Sequence, residues 1–96
     1  MSDKKNIVFS PIAKQRLESI ANYLLHQHLS ASFVIEYLNG IEHWLETVLF
    51  LFLQSGTPAP KYGSGVRKIV YKKYNFIYRV QGQEIQILTI YRENLP

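Results

Sequence analysis

The stretch richest in reactive groups is "GSGVRKIVYKKYNFIYRV", residues 63–80, where Arg67, Lys68, Lys72, Lys73 and Arg79 alternate with Tyr71, Tyr74 and Tyr78. No carboxylate accompanies them. Between Glu46 and Glu84 the chain has no acidic residue, and Lys61 adds a sixth cation. Cations interleaved with aromatic rings neutralise phosphates and stack bases. The same mixture suits a protein interface, where Tyr and Arg are enriched. The histidines offer less. His26 and His28 lie two apart on one helix, about 200° around it, so they cannot converge on one phosphate. His43 sits on a different element, and all three read as surface or edge residues. With no Cys in the chain, disulfides, a thiolate nucleophile and a Cys-based metal site are excluded.

The elements that position these groups must come from 96 residues, enough for one domain over 1–96 with one modest core. The apolar fraction of 47% is that of a globular protein rather than a disordered one. Net charge is +4 with a pI near 9.4, and the excess falls in the second half. That asymmetry points to a polyanionic or acidic partner. "MSDKKNIVFSP" lacks the apolar core of a signal peptide. The apolar run "VLFLFL" is far short of the roughly 20 residues that span a bilayer, so no membrane association is expected.

Asn6 to Phe9 reads as a strand that stops at "SP", where Ser10 is an N-cap and Pro11 opens a helix. Ala13, Leu17, Ile20, Ala21 and Leu24 then recur at helical spacing until the pattern fades near His28. Ser30 or Ser32 caps a second helix carrying Val34, Tyr37, Leu38, Ile41, Leu45, Val48, Leu49 and Phe52 on one stripe. Phe50, Leu51 and Leu53 make its end apolar nearly all round, which predicts burial on more than one side. Gly40 is read as a point of close helix approach. "QSGTPAPKYGSG" is a loop. Three strands follow, Val66 to Tyr71, Asn75 to Gln81 and Glu84 to Tyr91, with Gly82 turning the last pair into a hairpin. Alternation puts Ile85, Ile87, Thr89 and Tyr91 on one face of the final strand. The expected fold is α+β, β-α-α-β-β-β, with a helical hairpin packed on one face of a small antiparallel sheet.

These pieces in this order, "IVFSPIAKQRLESIANYL", the loop prolines, "GVRKIVYKKYNFIYRV" and "EIQILTIYRE", resemble the RelE/ParE superfamily of type II toxins along nearly the whole chain. The resemblance implies a cytoplasmic toxin held inactive by a cognate antitoxin, with no cofactor or metal. Members similar to RelE are ribosome-dependent mRNA endoribonucleases. Members similar to ParE, the plasmid-stabilisation branch, poison DNA gyrase without cutting nucleic acid themselves. RNA cleavage needs an activated 2′-hydroxyl, a stabilised phosphorane and a protonated leaving oxygen. RelE-like members commonly carry an Arg where this chain has Asn75, and basic residues with a Tyr after the final strand. Here only Tyr91 and Arg92 remain. A ribonuclease would have to use Lys68, Lys72, Arg79, Tyr91 and Arg92.

The ParE-like branch asks only for a complementary surface, expected from Arg67, Lys68, Lys72, Lys73, Arg79 and Arg92 on one strip facing gyrase, with or without DNA. The resemblance also implies that an antitoxin segment folds on binding, with Trp44, Phe50, Leu51 and Leu53 as candidates to line its groove. A relative that binds only its antitoxin and causes no growth arrest is the third reading.

Overall fold

Ser10 and Pro11 end the first strand as their chemistry requires. In the computed structural model, which describes residues 6–51 and 55–92, β1 covers Asn6–Phe9 and α1 covers Pro11–His26. The Ala13 N–H donates to Ser10 Oγ at 3.0 Å. Pro11 takes the first helical position, where its missing N–H costs nothing. At the other end the N–H groups of Gln27 and His28 bond back to the Leu24 and Leu25 carbonyls. His28 sits at φ 65°, the left-handed conformation in which many helices stop. Ser30 then caps α2, Ala31–Leu51, by accepting the Phe33 N–H at 3.1 Å.

Beyond α2 come β2 (Thr57–Pro58), a single 3-10 turn (Pro60–Tyr62), β3 (Arg67–Tyr71), β4 (Tyr74–Gln81) and β5 (Glu84–Arg92). They form a five-stranded sheet in the order β1-β5-β4-β3-β2. The helices pack on one face, giving the expected α+β layers with the two-residue β2 as an addition. The sheet is mixed rather than wholly antiparallel, because β1 pairs parallel with β5. A parallel neighbour needs a long connection, and here both helices and three strands separate the pair.

The core lies between the layers. Ala13 and Ile20 from α1 and Ile41, Leu45 and Leu49 from α2 meet Ile69, Phe76, Tyr78, Ile85, Ile87 and Ile90 from the sheet. Strict alternation fails in β5. Its register against β4 shifts between Ile77 and Tyr78: Tyr78 faces Ile87 while Ile77 faces Thr89, leaving Leu88 as the extra residue. Such a bulge turns every later side chain to the opposite face. Ile90 therefore joins the core at 1% exposure, and Thr89 and Tyr91 leave the face they were expected to share with Ile85 and Ile87. Ser10 closes the bulge by donating from Oγ to the Leu88 carbonyl at 2.7 Å. One hydroxyl thus serves both the cap of α1 and the irregularity in β5.

Two other expectations change. A Cβ placed on Gly40 would meet nothing within 4 Å, so Gly40 is not a point of close helix approach. Gly40→Ala should therefore stabilise the protein by up to about 1 kcal/mol, the helix-propensity difference between the two residues. A denaturant melt with an unchanged m-value and a raised midpoint checks this. At the end of α2, Leu49 is buried, but Phe50 and Leu51 are 36% and 68% exposed. The apolar end of the helix is not enclosed on all sides. Leu53 lies outside the described residues.

Candidate functional site

Sheet alternation decides where the cations go. On β3 and β4, Lys68 stands opposite Ile77, and Arg67 opposite Tyr78. Tyr78 belongs to the core, so Arg67 shares the helix side and Lys68 the helix-free side. On β4, Arg79 falls with Ile77 on the helix-free side. Arg92 stands opposite Tyr74, another core residue, and so belongs to the helix side. Lys72 and Lys73 form the β3–β4 turn, with Lys72 at φ 57°. The expected single strip is therefore two patches on opposite sides of the sheet. The cause is the alternation itself together with the bulge, which sends Tyr91 and Arg92 to the faces they occupy.

The helix-side patch sits at the end of the sheet nearest the β3–β4 turn. Lys72 Nζ lies 4.9 Å from the Tyr37 ring centre and 5.6 Å from that of Tyr71. The Arg92 guanidinium lies 5.5 Å from the ring centre of Tyr23. Cation–π contacts of this kind contribute about 0.5–1 kcal/mol at exposed sites. Burial pushes the Tyr37 phenol above the ordinary range, with Tyr74 and Tyr71 adding to the effect and Arg92 opposing it. Tyr74 is raised by burial as well, with Arg92 opposing and Tyr23 adding. Both phenols stay protonated at neutral pH. In that state they are packing groups and not bases.

The helix-free patch carries Lys68, Arg79 and Tyr91. Chain 57–62 borders this side, and Thr57, Lys61, Tyr62, Lys68 and Tyr91 bound a shallow hollow of about 340 Å³. Ile77 and Asn75 share this side with Lys68 and Tyr91, yet they are 0% and 3% exposed. Asn75 Oδ1 has no hydrogen-bond partner among the described residues. Arg79 Nε donates to Gln86 Oε1 at 3.0 Å, and Gln86 Nε2 donates to Glu84 Oε1 at 3.1 Å. Arg79 is thus linked to a carboxylate through one amide and is less available than the sequence suggested.

Arg67 has a structural task. Its Nε and Nη2 donate to the Gly56 carbonyl at 3.0 and 2.6 Å, and the Gly56 N–H donates to the Tyr78 hydroxyl at 3.2 Å. Gly56, read from sequence as one loop glycine among several, is the centre of this knot. Its signal was only its position before a strand pair.

The apolar candidates divide simply. Phe50 and Leu51 are exposed, as a docking surface requires. Trp44 is half-buried, with its ring stacked on Tyr71 at 4.3 Å between centroids, so it serves the interior first. The histidines are exposed: His26 Nδ1 faces the Asn22 carbonyl at 2.8 Å, and the His43 carbonyl accepts the Thr47 hydroxyl. Among the described residues no group of three or more His, Asp or Glu is placed to hold a metal. Nor is any described helix long and apolar enough to cross a membrane.

The five candidate ribonuclease residues are not brought together. Lys68, Arg79 and Tyr91 are on the helix-free side, Lys72 at the turn over Tyr37, and Arg92 over Tyr23. Two solved structures share the architecture. The chromosomal ParDE toxin–antitoxin system from P. aeruginosa matches with a TM-score of 0.74 at 22% identity, over 97% of this chain and 100% of that one. The toxin–antitoxin complex RelBE2 from Mycobacterium tuberculosis matches with a TM-score of 0.61 at 15% identity, over 94% and 99%. These likenesses define the class of fold, a helical hairpin on a small sheet. The family follows from the sequence: the model for the ParE toxin of the type II toxin–antitoxin system parDE matches residues 7–94, and the chain belongs to that family. No curated protein sequence matches it significantly.

Proposed function

We propose that this protein is a toxin that poisons DNA gyrase by binding, without cutting nucleic acid itself, and that a cognate antitoxin neutralises it in the cytoplasm. Membership of the ParE toxin family supports the reading. The observation that carries the choice of branch is the placing of Lys68, Arg79 and Tyr91 on the helix-free side, Arg92 on the helix side and Lys72 at the β3–β4 turn over Tyr37. A phosphoryl-transfer site needs its acid, base and charge-stabilising groups within hydrogen-bond reach of one phosphate. A binding surface needs no such convergence. Asn75 points the same way, since it is buried where RelE-like members commonly carry an Arg.

The test is a supercoiling assay with gyrase from the native host. Loss of supercoiling at near-stoichiometric protein is the expected outcome, and full supercoiling at large excess contradicts the proposal. The ribonuclease reading keeps one observation in its favour, the placing of Lys61, Tyr62, Lys68 and Tyr91 around one hollow. Primer extension on translated messages, showing cuts within codons, would establish it instead.

Charge reversal of Lys72 and Lys73 together should weaken growth arrest in cells while leaving the fold in place. Both side chains are exposed, and the cation–π interactions that Lys72 would give up are worth only about 1 kcal/mol. Growth arrest as strong as the parent's, at equal expression, removes the turn from the target-binding surface.

A further inference from the structure

The hollow on the helix-free side has a wall fixed by its own hydrogen bonds. That wall is chain 57–62. Thr57 pairs with Lys68, and the Ala59 N–H donates to the Val66 carbonyl at 2.9 Å. The Tyr62 and Gly63 N–H groups donate to the carbonyls of Ala59 and Pro60 at 3.1 and 3.0 Å. Pro58 and Pro60 each fix a further φ angle. Little ordering of this backbone is left for a ligand to impose, which favours binding. Lys61, Tyr62, Lys68 and Tyr91 stand around the space of about 340 Å³. Neither lysine has a carboxylate partner among the described residues. Lys61 Nζ lies 5.2 Å from the Tyr62 ring centre, and Tyr62 is 38% exposed. On the same side of the sheet Asn75 stands directly opposite Tyr91. Its buried Oδ1 accepts no hydrogen bond from any described residue. A buried acceptor without a donor is costly, and a ligand donor reaching it would remove that cost.

We infer that this hollow binds a free mononucleotide, with its phosphate monoester between Lys61 and Lys68 and its base against the Tyr62 ring. Charge selects the phosphate. A phosphate monoester carries about −1.5 to −2 at pH 7, which matches two ammonium groups without counter-ions. A diester inside a strand carries a single charge. The ring supplies a stacking surface, which every base can use. The surroundings disfavour a longer strand. Beyond Lys68 the next cation on this side is Arg79, which is bonded to Gln86, and Gln86 is bonded to Glu84. A second phosphate would therefore approach a carboxylate. The site does not depend on the function proposed above. Lys68 also belongs to the surface proposed there for the target, so a bound nucleotide would compete with the target for it.

The test is an amide NMR titration of the isotope-labelled full chain with adenosine 5′-monophosphate, with adenosine and with inorganic phosphate. Saturable shift changes centred on Thr57, Lys61, Tyr62, Lys68 and Tyr91 are expected with the nucleotide. Its affinity should exceed that of adenosine or phosphate alone by at least about tenfold. Lys68→Gln should weaken nucleotide binding by about tenfold. Lys61→Gln should do the same, and its exposed position in the loop keeps the test decisive if a change in β3 disturbs the sheet. Shifts that fail to saturate at millimolar nucleotide overturn the inference, as does equal binding by Lys61→Gln and the parent. Shifts centred on Lys72 and Arg92 overturn it too. A 5′-phosphorylated oligoadenylate that binds more than about tenfold tighter than the mononucleotide also overturns it, by assigning the hollow to a strand. Gyrase takes no part in this titration, so failure of the gyrase assay and failure of nucleotide binding are told apart.

Discussion

Tyr78→Ala is expected to destabilise the protein by about 3–5 kcal/mol, the usual range for removing a buried aromatic ring. Tyr78 is fully buried at 0% exposure, in the middle of the sheet and within the core that both helices share. Domains of this size have roughly 5–15 kcal/mol of stability in total, so the variant should be partly unfolded at growth temperature. Tyr78→Phe separates the ring from its hydroxyl. It keeps the packing and leaves the Gly56 N–H without its acceptor at 3.2 Å, at a cost of about 1–3 kcal/mol for a buried group. Thermal unfolding followed by circular dichroism distinguishes the two. Equal effects from Ala and Phe would mean that the hydroxyl, not the ring, dominates at this position.

The second large effect belongs to Gly56→Ala. A Cβ at this position would lie 2.5 Å from the Lys68 carbonyl oxygen and 2.9 Å from the Tyr78 hydroxyl. One of these atoms is backbone in a paired strand and the other is held in the core, so neither can give way cheaply. Overpacking of this kind costs about 1–3 kcal/mol. Displacing the hydrogen bonds adds about 1 kcal/mol for the neutral bond to Tyr78 and about 1.5–3 kcal/mol for the charged interaction with Arg67. At roughly 4–8 °C per kcal/mol for a domain of this size, the melting temperature should fall by about ten degrees or more on that scale. The contrast with Gly40→Ala, expected to stabilise, is the sharper check. The same substitution takes opposite signs because one glycine faces open space and the other faces a carbonyl. A Gly56→Ala variant that melts with the parent would show that β2 and its loop move aside without cost.

Much of the fold is legible in local chemistry. Ser10 and Pro11 announce the start of α1, Ser30 the start of α2 and Gly82 the last hairpin, because caps and turns depend on a few adjacent residues. Alternation places Phe76 and Tyr78 opposite Asn75, Ile77 and Arg79 for the same reason. The bulge at Leu88 is not legible. No glycine marks it, and it is stabilised by Ser10, a residue far away in sequence. That one extra residue reverses the facing of Thr89, Ile90 and Tyr91, and so changes which cations can act together. The parallel pairing of β1 is likewise a property of the whole topology.

The candidate site is legible as composition but not as arrangement. Six cations in an acid-free stretch can be read directly from the sequence. The division that puts Lys68 and Arg79 on one side of the sheet and Arg67, with the later Arg92, on the other depends on register. The roles of Arg67 at Gly56, and of Lys72 over Tyr37, depend on contacts between elements that no spacing rule reaches. The same is true of the hollow beside chain 57–62, which needs the pairing of β2 with β3 and the facing that the bulge gives Tyr91.

The most direct measurement of gyrase poisoning is trapping of the broken DNA intermediate. Purified protein, gyrase from the native host, ATP and plasmid are incubated, and the reaction is stopped with detergent and protease. Linear plasmid is expected, and only when gyrase and this protein are both present. Plasmid that remains intact at saturating protein, while gyrase continues to supercoil it, would contradict the proposed function.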